Sequence, residues 1–141
     1  MTFVIARRWF ALSICAAAFS ASASDNEDYS RLLTALVNQY RVSQGLPAVL
    51  VDPRVSGLAR EHSAAMAKKG QLNHDEFPSR VRRSGFAMCV ENIGWNYRSP
   101  EAQFDGWRAS PGHDRNMLDR RVDHMGIGIA DDYVTLIACG K

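Results

Sequence analysis

Three polar residues at distant points of the chain are the first candidates for chemistry: His74, Glu91 and His113. His74 lies in a polar loop after a predicted helix end, and His113 follows a Ser-Pro-Gly turn at another, so both imidazoles can face open space. Glu91 lies on an otherwise apolar face of a predicted strand, where an unpaired buried carboxylate is very costly. A histidine is a natural partner for that carboxylate.

Two imidazoles and a carboxylate are donors that suit Zn²⁺ or a similar divalent ion. The three residues are widely separated along the chain, unlike the ligands of a local structural zinc motif. A metal would therefore occupy an open site with water in its free positions. The alternative interpretation is that Glu91 bridges the two rings and anchors the wall of a cleft. The sequence requires no cofactor, and zinc or another divalent cation is the one that these residues would suit.

Other charged and titratable residues are interpreted without a role in chemistry. His62 lies on the apolar face of a predicted helix, where a histidine is usually a hydrogen-bonded core residue. His124 precedes a predicted hairpin and has no evident partner in the sequence. The cluster of Arg80, Arg82 and Arg83 is interpreted as a solvated helix face.

The start of the chain is typical of a secretory signal peptide. Arg7 and Arg8 give it a positive end, the apolar run over 9–19 is too short to cross a bilayer as a helix, and small residues follow. Cleavage is predicted after Ala23, with cleavage after Ser24 as the alternative. An uncleaved membrane anchor is the other interpretation of the same segment.

The mature part predicted by that cleavage is one domain over residues 24–141, after a signal peptide over residues 1–23. The 141 residues minus 23 leave 118, enough for a single core. The chain has 17 basic and 15 acidic residues, and loss of Arg7 and Arg8 leaves 15 against 15. This balance gives no electrostatic case for a nucleic-acid partner. We expect a secreted protein, periplasmic or extracellular, with no membrane span after cleavage.

Cysteine usage agrees with export, because the mature part keeps only Cys89 and Cys139. In an oxidising compartment, an even pair favours a disulfide. Closing a loop of about 50 residues would stabilise the fold by about 3–4 kcal/mol. Two buried free thiols are the alternative.

Periodicity indicates the elements that position these residues. Apolar residues from Tyr29 to Tyr40 recur at helical spacing, and Asp52-Pro53 is a good start for a second helix that stops near Gly70. Helices are also predicted over 78–84 and from Ser99 to a break at Pro111-Gly112, and extended segments over 48–51, 89–95, 125–130 and 133–138. This order predicts an α+β fold, with helices covering a small antiparallel sheet.

Several short motifs in this order resemble the CAP superfamily, which includes the cysteine-rich secretory proteins, antigen 5 and the plant pathogenesis-related 1 proteins. The match extends over nearly all of the mature part, and the Ser-Pro-Gly-His form is similar to the short bacterial branch. The motifs are His74, Glu91-Asn92-Ile93, Trp107-x-x-Ser110-Pro111-Gly112-His113-x-x-Asn116 and Met125-Gly126-Ile127-Gly128, preceded by Asn38-Gln39-Tyr40-Arg41 and Ala59-Arg60-Glu61-His62-Ser63.

The resemblance implies an α-β-α sandwich with one large cleft. It implies that His74, Glu91 and His113 line this cleft, and that divalent metal binding by the two histidines recurs among relatives. Many relatives carry a second glutamate where this chain has Ser110. Secondary cleft residues are Ser110, Asn92 and Asn116, and the positions of Cys89 and Cys139 are similar to those of cysteines in some relatives, which favours their pairing.

The function expected from these residues and this resemblance is a secreted, non-enzymatic binding module. Its unidentified extracellular ligand would be a small molecule, lipid, peptide or cell-wall component, held with or without a metal. The alternative is a hydrolase or peptidase that uses His113 with Ser110, oriented by Glu91, or a metal-bound water with Glu91 as general base. No nucleophile elbow and no His-Glu-x-x-His helix supports that alternative. Sterol or fatty-acid binding is a weaker alternative that needs an apolar groove.

Overall fold

The computed structural model describes residues 17–141, with side chains from residue 23 onward. The predicted signal peptide lies outside the described residues up to residue 16, and its cleavage stays a prediction. Within the described part, no helix is long and apolar enough to cross a membrane. The elements, in chain order, are α1 (Ala17–Ser43), β1 (Leu50–Val51), α2 (Pro53–Lys69), α3 (Phe77–Ser84), β2 (Met88–Trp95), α4 (Pro100–Ala109), α5 (Pro111–Met117), β3 (His124–Ala130) and β4 (Tyr133–Gly140).

The four strands form one sheet in the order β1-β3-β4-β2. The predicted hairpin is confirmed, because β3 and β4 are antiparallel neighbours, and β2 runs antiparallel along the other side of β4. The expected small antiparallel sheet is present in β2, β3 and β4, and at one edge β1 adds a parallel pairing with β3 over two residues. A long crossover through α2 and the intervening elements separates these two strands in the chain, which is the connection that parallel pairing needs.

One helix, α2, covers one face of the sheet. Its start is the predicted one, because the Asp52 carboxylate accepts a hydrogen bond from the Val55 amide and Pro53 opens the first turn. It ends at Gly70, whose φ of 63° lies in the left-handed region that favours glycine. Its apolar side packs against β4 through a cluster of Val55, Leu58, Ala59, Ile137 and Cys139.

Two glycines of β3 allow α2 to lie directly on the sheet. A Cβ atom at Gly126 would collide with the backbone of Ser56, and one at Gly128 would collide with the backbone of Arg60. The alternation of glycine with apolar residues in the Met125-Gly126-Ile127-Gly128 motif therefore has a packing explanation. The glycines face α2, and the side chains of Met125 and Ile127 join the core on the other face.

The second layer consists of α1, α4 and α5. Its core contains Leu33 and Val37 of α1 together with Phe104 and Trp107 of α4, and the Trp107 indole donates a hydrogen bond to the carbonyl of Ile93 at 2.9 Å. With α2 on the opposite face, the chain is an α-β-α sandwich. The predicted α+β class and its layered arrangement are confirmed.

Two boundaries differ from the prediction in this layer. Pro111 and Gly112 do not merely break a helix, because α4 ends at Ala109 and Pro111 begins α5 one residue after Ser110. Proline fits the first turn of a helix, where its missing N–H has no intrahelical role. The first helix of this layer, α1, begins at Ala17, well before Tyr29, the first residue of the apolar periodicity.

The predicted disulfide is confirmed between Cys89 and Cys139. These residues lie directly opposite each other in the β2–β4 ladder, with their Cα atoms 4.0 Å apart. The bond ties the edge strand that carries Glu91 to the last strand of the chain.

Candidate functional site

Glu91 is the buried charge around which the site is built. Glu91 is only 5% exposed, and its side chain lies on the face of β2 that α2 and α3 cover. Arg80 of α3 binds the carboxylate with two parallel hydrogen bonds, from Nε to Oε2 at 2.7 Å and from Nη2 to Oε1 at 2.8 Å. This two-point pairing is the geometry in which arginine holds a carboxylate most strongly.

The interpretation of Arg80 as part of a solvated face was wrong. Arg80 is 5% exposed, and its Nη1 also donates to the carbonyl of Asp75 at 2.6 Å, whereas Arg82 and Arg83 are exposed as expected. The sequence did carry a signal for this, because Arg80 lies on the helix face of Phe77 and Ser84, three and four residues away. The interpretation as a solvated face considered only the charges of the three arginines and not this spacing.

His74 is the histidine that Glu91 holds. Its Nδ1 lies 2.8 Å from Glu91 Oε1, and because a carboxylate only accepts, Nδ1 carries the proton. The ring is otherwise open, with 52% of the side chain exposed. His74 therefore presents its second nitrogen, Nε2, away from Glu91, in an orientation that the carboxylate maintains.

His62 also belongs to the cluster around Glu91, and the sequence did not indicate that it does. The prediction of a hydrogen-bonded core histidine is confirmed, because the ring is buried and its Nε2 lies 2.8 Å from the carbonyl of Asn73. The same Nε2 is 3.7 Å from Glu91 Oε1. Burial lowers the pKa of His62 below 6.5, against the opposing effect of the Glu91 charge. His124 was expected to have no partner, and it pairs with the adjacent Asp123 at 2.7 Å.

His113 occupies the first turn of α5 and belongs to the other helical layer. Its ring meets that of Trp107 edge-on, with 6.5 Å between centroids. Burial, and next the charge of His74, lower the pKa of His113 below 6.5. Within the described residues, the His113 ring makes no hydrogen bond with Glu91 or Ser110, so Glu91 is paired with His74 and not with both rings.

Asn92 and Asn116 connect α5 to β2. Asn92 is fully buried and donates to the carbonyl of His113 at 3.0 Å. Asn116 donates to the Asn92 side-chain oxygen at 2.9 Å and to the Glu91 carbonyl at 3.1 Å. These amides therefore position the backbone that carries His113 against β2.

Glu91 and Asn92 lie at a free edge of the sheet, because β2 is an edge strand. Glu91 and Asn92 are consecutive residues of β2 and point to opposite faces. The His74 ring is held by the Glu91 side chain on one face of β2, and the His113 backbone is held by the Asn92 side chain on the other.

Ser110 joins α4 and α5 through its backbone. Its amide donates to the Trp107 carbonyl at 3.1 Å, and its own carbonyl accepts from the Asp114 amide at 2.9 Å. In the described chain, its hydroxyl makes no hydrogen bond with His113 and caps neither helix. A Ser110–His113–Glu91 relay is therefore not assembled in this arrangement.

The fit of a metal to these residues is limited by Glu91. Both oxygens of this carboxylate are occupied by Arg80 and His74, and no group of three or more His, Cys, Asp or Glu residues from 17–141 is arranged to hold an ion. Glu91 thus does not fit as a ligand. The remaining nitrogen donors of the cleft are Nε2 of His74 and the ring of His113.

An open groove of about 270 Å³ lies between α1 and α4. Its lining is mixed, with the apolar side chains of Leu36 and Phe104 beside the polar side chains of Gln39, Tyr40, Ser43 and Arg108.

The chain belongs to the CAP, or cysteine-rich secretory protein, family, whose sequence profile matches residues 34–137. It is similar to the uncharacterized protein YkwD of Bacillus subtilis, with 28% identity over 110 residues that cover 73% of this chain and 43% of the relative. A second B. subtilis relative, the uncharacterized membrane protein YlbC, is 29% identical over 107 residues, 71% of this chain and 31% of its own length. The chain thus spans less than half the length of these curated relatives.

Solved structures of bacterial proteins have the same fold. An extracellular protein from Bacillus anthracis that contains an SCP domain superposes with a TM-score of 0.78 at 25% identity, covering 82% of this chain and 41% of that one. An outer surface protein of Borrelia burgdorferi superposes with a TM-score of 0.72 at 16% identity, covering 79% of this chain and 91% of that one. At this lower identity, the second likeness concerns the fold alone.

Proposed function

We propose that this CAP domain is a non-enzymatic binding module that acts outside the cytoplasm and takes its ligand through His74 and His113. The observation that carries this proposal is the state of Glu91, whose two oxygens are already occupied by Arg80 and His74. A carboxylate held in this way is a poor general base, because accepting a further proton would break a buried ion pair. It is well suited to fixing the orientation of a histidine.

The two rings offer lone pairs to a ligand. Nδ1 of His74 is protonated toward Glu91, which leaves Nε2 as an acceptor whenever the ring is neutral. The lowered pKa of His113 keeps its ring neutral at neutral pH. Two imidazoles with unpaired ring nitrogens suit a hydrogen-bond donor or a divalent ion such as zinc. A zinc ion bound here would have these two protein ligands, fewer than the three or four usual for tight sites, with Glu91 orienting His74.

Calorimetric titration with zinc tests the role of the two histidines. We expect weak, saturable binding by the domain over residues 24–141 and its loss in the double variant His74→Ala/His113→Ala. His124→Ala is the matched control, because it removes a histidine outside the cleft and should leave binding unchanged. Equal uptake by the double variant and the parent would eliminate these residues as ligands.

The absence of catalysis is tested with a broad peptide library. We expect no turnover with zinc, with other divalent ions or with chelator present. Turnover that disappears in His113→Ala or Ser110→Ala but survives in His124→Ala would overturn the non-enzymatic assignment. Such a result would favour the hydrolase alternative, and it would require a rearrangement that brings the Ser110 hydroxyl to His113.

Export is part of the same proposal. The segment over residues 1–23 supports it, as does the similarity of the fold to an extracellular protein of Bacillus anthracis and an outer surface protein of Borrelia burgdorferi. Expression of the full chain, cell fractionation and N-terminal sequencing should yield a periplasmic or extracellular product that begins at Ser24, or at Asp25 for the alternative cleavage. A full-length product retained in the membrane would instead support the uncleaved anchor.

A further inference from the structure

A second cavity lies between α2 and α3, and its lining includes neither His74 nor His113. It is open to solvent and has a volume of about 210 Å³. Two buried polar residues, His62 and Arg80, line it together with the apolar side chains of Leu58 and Met66. Counting about 30 Å³ for each water molecule, the space is equivalent to about seven waters, or to a small organic molecule.

The protonation of the two ring nitrogens of His62 determines which hydrogen bond it can make with a ligand in this cavity. The carbonyl of Asn73 can only accept, so Nε2 of His62 carries a proton. Because the pKa of His62 is lowered by burial, the ring is neutral at neutral pH, and Nδ1 is an unprotonated acceptor.

This acceptor has no hydrogen-bond partner among the described residues, although His62 is only 4% exposed. Within residues 23–141, the only polar side-chain atoms that are both sealed from solvent and unpaired belong to the amide of Gln103. Nδ1 of His62 is therefore not sealed from solvent, and His62 is one of the residues that line the cavity. This unpartnered acceptor is the polar contact that His62 has left for a ligand of the cavity.

The charges around the cavity favour a cation. Glu61 pairs with Arg83 at 2.7 Å, and Asp75 pairs with Lys69 at 3.1 Å, so these four charges balance. Arg80 at the inner end is neutralised by Glu91. The remaining charge in the lining is the carboxylate of Glu76, which has no ion-pair partner in the described part of the chain.

We propose that the α2–α3 cavity binds a small organic ammonium ion. Its N–H group donates to Nδ1 of His62, its positive charge is balanced by Glu76, and its carbon chain packs on Leu58 and Met66. An alcohol of the same shape keeps the donor but lacks the charge. A carboxylate of the same shape lacks the donor and is repelled by Glu76.

Nuclear magnetic resonance of protein labelled with ¹⁵N-histidine, near pH 7.5, distinguishes these ligands. The probes are n-butylammonium, n-butanol and butyrate. We expect the Nδ1 signal of His62 to shift and saturate with butylammonium. Butanol should bind about tenfold more weakly, as expected for the loss of about 1.4 kcal/mol, and butyrate should have no effect. Equal responses to all three probes, or no response to butylammonium, would overturn the proposal.

Two variants locate the binding. Ala65→Leu fills the cavity from an exposed position that lines it, and should abolish the shift. Ala64→Leu is the matched control, since the neighbouring residue is also exposed on α2 but does not line the cavity. Glu76→Gln should reduce butylammonium affinity to that of butanol. Retained binding in Ala65→Leu, or unchanged affinity in Glu76→Gln, would refute the assignment.

We expect butylammonium binding in the α2–α3 cavity to be independent of His74 and His113. The double variant His74→Ala/His113→Ala should lose zinc and keep butylammonium binding. Loss of butylammonium in this variant, with the fold intact, would place the amine in the cleft and overturn the proposal of a separate cavity. Failure of zinc binding in the parent leaves the amine result unaffected.

Discussion

The two faces of strand β2 hold consecutive buried polar residues in different ways. Glu91 carries a charge, and its face supplies a bidentate arginine and a histidine from α3 and the loop before it. Asn92 is neutral, and its face supplies one amide and one backbone carbonyl from α5. A buried charge requires an opposite charge, whereas a buried amide needs only neutral hydrogen-bond partners. Each arrangement positions one histidine of the cleft, His74 by the charge and His113 by the amide.

Among the substitutions that test this difference, removal of Arg80 is expected to change the free energy of unfolding most. Arg80→Met leaves Glu91 buried without a cation, and should lower the free energy of unfolding by about 3–5 kcal/mol. Urea unfolding followed by circular dichroism measures the loss. The double variant Arg80→Met/Glu91→Leu removes the uncompensated charge and should recover most of it. A double variant as unstable as the single one would mean that Arg80 stabilises the fold through its packing and not through its charge.

Loss of the hydrogen bonds on the Asn92 face should lower the free energy of unfolding by a smaller amount. Asn116→Ala leaves the Asn92 side-chain oxygen and the Glu91 carbonyl without this donor, and should lower the free energy of unfolding by about 1–3 kcal/mol. Gln39→Ala, which removes an exposed amide of α1, is the control and should stay within about 0.5 kcal/mol of the parent. A loss as large as that of Arg80→Met would remove the distinction between the faces.

Acidification tests both faces together, through His62 on one and His113 on the other. The pKa of each is lowered in the folded state, so the unfolded chain binds more protons between the lowered values and 6.5. Stability should therefore be fully present above about pH 6.5 and decline as the pH falls below it. Urea unfolding from pH 8 to pH 5 measures this slope. His113→Asn should make it shallower, and an unchanged slope would show that His113 does not contribute.

The smallest effect is expected three residues beyond Arg80 on the same helix. Arg83 makes an ion pair with Glu61 at 2.7 Å, but both side chains are more than half exposed. Arg83→Ala should change the free energy of unfolding by at most about 1 kcal/mol, because water and salt screen an exposed pair. A loss comparable with that of Arg80→Met would mean that burial is not what separates these two arginines.

The fold followed from local patterns to a large extent. Helix starts at Asp52-Pro53 and Ser99-Pro100 and the stop at Gly70 were predicted from short segments, because the capping groups act on the adjacent turn. The helix that opens at Ser99-Pro100 does end before Pro111, as expected, but the new helix that begins at Pro111 was not predicted. Proline marks a boundary without specifying which side of it is helical, and here the helix follows it.

The candidate site was predicted only in part. The sequence indicated that Glu91 needs a partner and that His74 is a suitable one, and the two side chains do meet. It did not indicate Arg80 or His62, because each lies on the apolar face of its own helix, and periodicity identifies a buried face without identifying what it is buried against. The resemblance to a family placed His113 in the same cleft, and no local pattern of the chain did so.

Local patterns were enough to predict every described element except α5, the order of these elements and the need of one buried carboxylate for a counter-charge. These follow from periodicity, capping chemistry and desolvation, which act within a few residues or on a single group. Which charge meets Glu91, and which histidine is left free, became known from the folded domain. That choice depends on how α2 and α3 pack over one face of β2 and α5 over the other, and contacts between distant segments are set by the packing of the whole domain.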